Sequence, residues 1–179
     1  MDKKVVNIAY ALLNEQYYTF QVSLESLIFN NSNCLFKIYL LIDENFNKDF
    51  LKNILACKKN DNILDIVIIN IESSKYKYVS SLINSSEIYT SSFYRFELIR
   101  HIDDDRVLFL SDISLATGDI LELYNMDIEK YSCAVSEFVP DCVKLSTRPL
   151  SNEFFFSDLV MLINLNWWRR ENYIEKIEN

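Results

Sequence analysis

Glycine is almost absent: Gly118 is the single one in 179 residues. Loops that cradle phosphate through bare backbone need glycine for close approach, so neither a Walker A loop nor a GxGxxG turn can be built here. Histidine is equally scarce. With His101 alone and no nucleophile elbow, a Ser-His-Asp arrangement is not arguable. The four cysteines, Cys34, Cys57, Cys133 and Cys142, form no CxxC pair, which removes the usual zinc spacing and leaves thiol catalysis unsupported. Cys34 and Cys133 sit among apolar residues and read as small buried hydrophobes, reduced as in a cytoplasmic protein. Basic residues run short as well: 18 Lys and Arg against 26 Asp and Glu leave a net charge of -8. Nucleic acid is therefore not an expected partner, because neutralising phosphates takes clustered cations. A small anionic ligand, which needs only local donors or a metal, stays open. No apolar run approaches the ~20 residues that span a bilayer. The segment from Met1 to Asn7 lacks a signal-peptide core and a cleavage site, so a soluble, cytoplasmic chain is expected, meeting a membrane only from the side.

What is present is a globular composition, 50% hydrophobic and 14% aromatic, in a length that suits one domain with a substantial core. Val5 to Leu13 has the length of a strand, and Tyr17 to Phe29 places Phe20, Leu24, Leu27 and Ile28 at helical spacing. Phe36 to Ile42 predicts a second strand ending at Asp43, and Asn47 to Lys58 an amphipathic helix. Ile63 to Ile71 is nearly all apolar, which predicts a third strand buried on both faces. Ser73 to Ser92 reads as a surface loop with a short helix, Phe93 to His101 as a helix, and Val107 to Leu110 as a fourth strand. A short helix over Ile120 to Tyr124 and a short strand over Cys133 to Val135 follow. Residues 138 to 153 carry both prolines and read as a loop. Phe154 to Leu165 is a last apolar strand and Trp167 to Glu178 a helix. Strands alternating with helices predict an α/β fold with a mostly parallel mixed sheet covered on both faces. Ligands of such sheets bind beyond the carboxyl ends of the strands, which brings residues 11 to 17, Asp43, Asp112 and the 138–153 loop to one rim.

The stretch "RVLFLSDISLATGDI" runs an apolar strand into a single carboxylate, Asp112, flanked by Ser111 and Ile113. Together with "NIAYALLNEQYYTFQVSLESLI", "SSFYRFELIRHIDDD" and "FFFSDLVMLINLNWWRREN", this resembles glycosyltransferase family 8, retaining enzymes that include bacterial lipopolysaccharide galactosyl- and glucosyltransferases and glycogenin. The resemblance covers nearly the whole chain and implies a single domain of the Rossmann-like GT-A fold over residues 1–179. It implies a UDP-sugar donor, a glycan or lipid-linked acceptor, and transfer of a hexose with retention, in the cytoplasm or at the inner membrane face. Carried over position by position, the residues near the nucleotide-sugar are Ala11, Asn14, Tyr17, Arg95, Ser111, Asp112, Glu137, Ser157 and Asp158.

The departures are specific. The family's Asp-X-Asp, which holds Mn²⁺ or Mg²⁺ against the diphosphate, falls on Ser111-Asp112-Ile113, so both metal-binding acids are replaced and Asp112 is the only carboxylate left to serve. A hard divalent cation wants several oxygen ligands, which argues against tight metal binding. The base-binding Ala-X-Asp-Asp-Asn-Tyr falls on residues 11 to 16, with Leu13 where an Asp would stand and Tyr17 one position late. The family's Asn-Ala-Gly falls on Ser157-Asp158-Leu159. Its late His-X-X-Gly-X-X-Lys-Pro-Trp has no counterpart before Asn179, so the chain reads as a C-terminally shortened member or a fragment of a longer protein.

Each candidate has a plainer alternative. Asp112 is a functional carboxylate or a strand-ending turn residue. Arg95 steadies a nucleotide or pairs with Asp103 or Glu97 on a helix surface. Glu137 holds a sugar hydroxyl or caps its strand. His101 with Asp103, Asp104 and Asp105 reads as a solvated turn, and Trp167 and Trp168 as packing rather than a sugar platform. Two functions stay open: a retaining hexosyltransferase, and an impaired relative acting as a binding partner of an active transferase, with self-association covering an exposed apolar face.

Overall fold

Strand β1 (Lys4–Leu12) alternates Val6, Ile8, Tyr10 and Leu12 against Ala9 and Ala11, and every one of these side chains is buried. A strand buried on both faces has to sit inside a sheet, and β1 does. In the computed structural model, which describes residues 3–76, 90–138 and 155–178, six strands form one sheet in the order β3-β2-β1-β4-β6-β5. The chain-early strands β1, β2 (Cys34–Asp43), β3 (Ile63–Ile71) and β4 (Arg106–Leu110) pair in parallel. Strand β6 (Phe155–Asn164) enters antiparallel between β4 and β5 (Cys133–Phe138). The α/β sheet is thus mixed: parallel from β3 to β4 and antiparallel beyond.

Each face of the sheet carries its own core. Helix α1 (Tyr17–Asn30) lays Phe20, Leu24 and Leu27 on the face that holds Ile8, Tyr10, Leu108 and Leu110. Each fully buried large apolar side chain there is worth about 2 kcal/mol by area. Asn31 closes α1: its Nδ2 donates to the Leu27 carbonyl at 2.9 Å and its Oδ1 accepts from Ile120 N at 2.7 Å, joining α1 to the short helix Ile120–Tyr124. Helix α2 (Lys48–Ala56) starts at Asn47, whose Oδ1 accepts from the amides of Asp49 and Phe50. The opposite face packs Ala9, Leu41, Tyr94, Leu98, Val107 and Phe109 against Trp168.

β3 is the edge strand of the described sheet, beside β2, yet it feeds both cores as expected: Ile63 and Ile66 join the α1 face and Ile69 and Ile71 the opposite one, while Leu64 and Asn70 stay exposed. Two expectations from the sequence need correction. The helix expected over residues 93 to 101 is mostly a 3-10 run, Thr90–Glu97, with α-helix only over Leu98–His101; its Ser, Thr and aromatic residues are poor helix formers. The last helix starts early, at Leu165, and breaks in two, Leu165–Arg170 and Tyr173–Glu178. Asn172 between them adopts φ 49°, a left-handed setting that asparagine tolerates and that ends a helix. Cys34 is buried as expected, and Cys133 only half-buried. Residues 77–89, 139–154 and Cys142 lie outside the described residues, as does most of the proline-bearing loop.

Candidate functional site

The carboxyl ends of β1 and β4 lie side by side, and a notch of about 40 Å³ opens between them. Ala11 and Phe109 form its strand walls, Ser111 and Asp112 its far edge, Gln16 one flank, and Ser91, Ser92 and Arg95 the other. Leu159 of β6 completes it, because β6 bulges here: Val135 pairs with Met161 while the next residue, Ser136, pairs with Ser157. The Leu159 carbonyl still holds the strand end, accepting from Ser111 N at 2.7 Å and from Ser114 Oγ at 3.1 Å. The notch admits a few waters or a phosphate-sized group, not a whole nucleotide.

Arg95 is the cation of this site. It is 7% exposed, its guanidinium lies 4.9 Å from the centre of the Phe109 ring, and its Nε donates to the Ser92 carbonyl at 2.5 Å. A flat, delocalised guanidinium over an aromatic face keeps its charge at low hydration cost. Arg95 is therefore not the surface arginine of the plainer reading. Glu97 pairs with Lys75 and Arg100.

Asp112 is 6% exposed and turned away from bulk water. Its Oδ1 accepts from Gln16 Nε2 at 2.8 Å and Ser111 Oγ at 3.2 Å, and its Oδ2 accepts from Thr19 Oγ1 at 2.5 Å. Gln16 Oε1 in turn accepts from Leu13 N at 2.8 Å and Ser91 Oγ at 3.2 Å. Nearby, burial pushes the Tyr10 phenol well above its ordinary range, against a hydrogen bond to Ser23 and with help from the Asp112 charge. Tyr94 is pushed up in the same way, first by burial and then by Asp43, onto which its hydroxyl donates at 3.3 Å. Both phenols stay protonated.

Of the residues read from the sequence, Ala11, Arg95, Ser111 and Asp112 come together at the notch. Asn14 and Tyr17 stand beside it and look elsewhere. Asn14 bridges two turns, its Nδ2 donating to the Asn45 carbonyl at 3.0 Å and its Oδ1 accepting from Asn47 N at 2.7 Å. The Tyr17 ring stacks on Phe50 with centroids 3.9 Å apart, and its hydroxyl meets Gln21 and Asn53. Ser157 lies at the β6 bulge, its Oγ accepting from Leu159 N at 3.3 Å. Asp158 and Glu137 belong to β6 and β5, and their side chains lie outside the described residues. His101, Asp103, Asp104 and Asp105 are exposed on their turn, and Trp168 is buried. Sequence reading missed Gln16, Thr19, Ser91 and Ser92. A signal existed for two of them: carrying the β4 alternation two residues beyond the strand points Asp112 at the start of α1, where Gln16 and Thr19 stand.

The sequence profile of the family described as "Glycosyl transferase family 8" matches residues 7–179. The chain belongs to glycosyltransferase family 8. The family 8 chain is 25% identical over 118 residues to "General stress protein A" of Bacillus subtilis (strain 168), a stretch that takes in 64% of this chain and 40% of that relative. Its fold is similar to that of the galactosyltransferase LgtC solved with donor and acceptor sugar analogs, with a TM-score of 0.75, 19% identity, and 92% of this chain against 60% of that one covered. It is also similar to apo GlyE of Streptococcus pneumoniae TIGR4, with a TM-score of 0.64, 20% identity, and 98% against 37% covered. The family 8 chain thus spans less than two thirds of the length of each of these relatives, and the likeness to the solved structures establishes the GT-A fold. Among the described residues, no helix is long and apolar enough to cross a membrane.

Proposed function

We propose that this family 8 domain handles the diphosphate end of a UDP-sugar and serves transfer of a hexose, with retention, to a glycan or lipid-linked acceptor such as a lipopolysaccharide precursor. The observation that carries the reading is the position of Arg95, a buried guanidinium set in a phosphate-sized notch at the carboxyl ends of β1 and β4. That is where an open α/β sheet takes its ligand. Departure of a nucleoside diphosphate needs its growing negative charge met by fixed donors. Arg95 and the hydroxyl of Ser92 line the notch to meet it, while the hydroxyls of Ser91 and Ser111 are committed to Gln16 and Asp112. The location follows: a transferase working on such donors belongs on the cytoplasmic side, at the inner membrane face.

A second reading rests on the residues flanking Asp112. With Ser111 and Ile113 where a metal-dependent relative carries acids, the domain binds its donor without turnover and partners an active transferase, or a second copy of itself. Thermal denaturation with UDP, UDP-glucose and UDP-galactose tests binding. At a hundredfold excess over Kd a bound nucleotide adds about 2.7 kcal/mol, which raises Tm by roughly 5–10 °C for a chain of this size. No shift with any of the three refutes the nucleotide-sugar reading. Release of UDP from either sugar, measured on the same protein, separates the transferase from the binding partner.

A further inference from the structure

We propose that Asp112 is a clasp and not a cation ligand, and that this rim takes its phosphate-bearing ligand without a divalent metal; the second half rests on the nucleotide-sugar reading above, the first does not. The direction of the side chain is set by the strand. Leu108 and Leu110 of β4 join the core beneath α1, while Val107 and Phe109 join the opposite one. Asp112 continues the first series and Ser111 the second. Acids that grip a cation from this strand end would stand at positions 111 and 113, and those positions hold a hydroxyl and an exposed isoleucine. Ser111 spends its hydroxyl hydrogen on Asp112 itself. A hard divalent cation needs about six oxygens, and among the described residues no three His, Cys, Asp or Glu side chains come together to begin such a set.

Asp112 borders the notch, but swinging its carboxylate onto a cation there would break its bonds to Gln16 and Thr19 and strand a buried amide and hydroxyl. Held where it is, the carboxylate does mechanical work. Through Gln16 it reaches Leu13 N and Ser91 Oγ, so one chain of side-chain bonds ties the end of β4 to the β1–α1 turn and to the 3-10 run that carries Arg95. In a metal-bound rim the ion draws such pieces together around the diphosphate. Here the clasp fixes them beforehand, and the positive charge comes from Arg95.

The test uses the full chain and two measurements. Mn²⁺ is titrated by electron paramagnetic resonance with and without UDP, on wild type and on Asp112→Asn. Backbone amide exchange at Leu13 is followed in wild type, Asp112→Ala and the milder Thr19→Val. The clasp predicts that Leu13 exchange accelerates on the order of tenfold in Asp112→Ala, where Gln16 Nε2 loses its acceptor, and measurably in Thr19→Val. It predicts no saturable Mn²⁺ site at the rim, and UDP affinity unchanged within about twofold by Mn²⁺ or a chelator. Mn²⁺ binding in wild type that Asp112→Asn abolishes overturns the proposal, as does unaltered Leu13 exchange in both variants. Absence of UDP binding under every condition overturns the nucleotide-sugar reading instead, while the exchange data still decide the clasp.

Discussion

Glu97→Gln is the substitution whose effect the structure fixes most fully. Glu97 is 8% exposed and stands at the junction of the 3-10 run with the helix Leu98–His101. Its Oε1 accepts from Lys75 Nζ at 2.5 Å and Tyr76 Oη at 2.7 Å, and its Oε2 from Arg100 Nη1 at 2.6 Å. Burial alone would raise this carboxyl, but the bonds from Lys75, Arg100 and Tyr76 outweigh it and hold the group at about 2 instead of 4.5. A carboxyl so depressed contributes about 3 kcal/mol at neutral pH by linkage. Lys75 and Arg100 are more than a third exposed, so solvent screening trims this to about 2 kcal/mol. Glutamine keeps the shape and an acceptor for Tyr76 but loses the charge. The sign follows from the direction of the shift: a lowered carboxyl stabilises the fold fully above pH 4.5, and that stability drains away as pH falls toward 2. Urea denaturation followed by tryptophan fluorescence, on wild type and variant, should show a difference of about 2 kcal/mol at pH 7 and under half of that at pH 3. Equal differences at the two pH values, or one below ~0.5 kcal/mol at pH 7, would refute the assignment.

Two further substitutions probe the face that carries Trp168. Its indole Nε1 is buried with no acceptor among the described residues, so Trp168→Phe removes a desolvation penalty of ~1–3 kcal/mol that offsets the packing it loses. The expected net change in urea is within about 1 kcal/mol, and a loss above ~3 kcal/mol would show an unseen partner. Asn164 does the reverse: its Oδ1 caps the following helix at Trp167 N, and its Nδ2 reaches the carbonyls of Ile128 and Tyr131. Asn164→Ala should lower stability by about 2–3 kcal/mol, read as a fall in Tm of several degrees.

Where a segment has one strong period, its element was legible in the sequence. Ile63–Ile71 and Ile120–Tyr124 are found with the bounds the pattern predicts. Burial of β3 on both faces was legible, but its edge position was not, because strand order is a long-range property and an apolar run does not reveal where in the sheet it lies. The antiparallel entry of β6 is hidden for the same reason. At the site, Ala11, Arg95, Ser111 and Asp112 were nameable from their places after strands. Tyr17 was not separable from a ligand-stacking aromatic until Phe50, thirty-odd residues on, was seen to occupy its ring face. Gln16 and Thr19 escaped notice because their importance lies in reaching Asp112 across almost a hundred positions; the β4 alternation gives the direction of Asp112 but not the residues it meets.

The place of β6 in the sheet also governs the order in which the protein can be built. Among the described strands β5 pairs only with β6, which enters between it and β4 and comes last of the six in chain order. During synthesis, then, the four-stranded parallel half waits with the edge of β4 open, a template for any passing strand. Ser111 cannot receive its backbone acceptor from Leu159 in that interval. The ligand rim therefore matures only once β6 is in place, and chaperones that shield nascent edges have an open strand to protect in the window between residues 110 and 164.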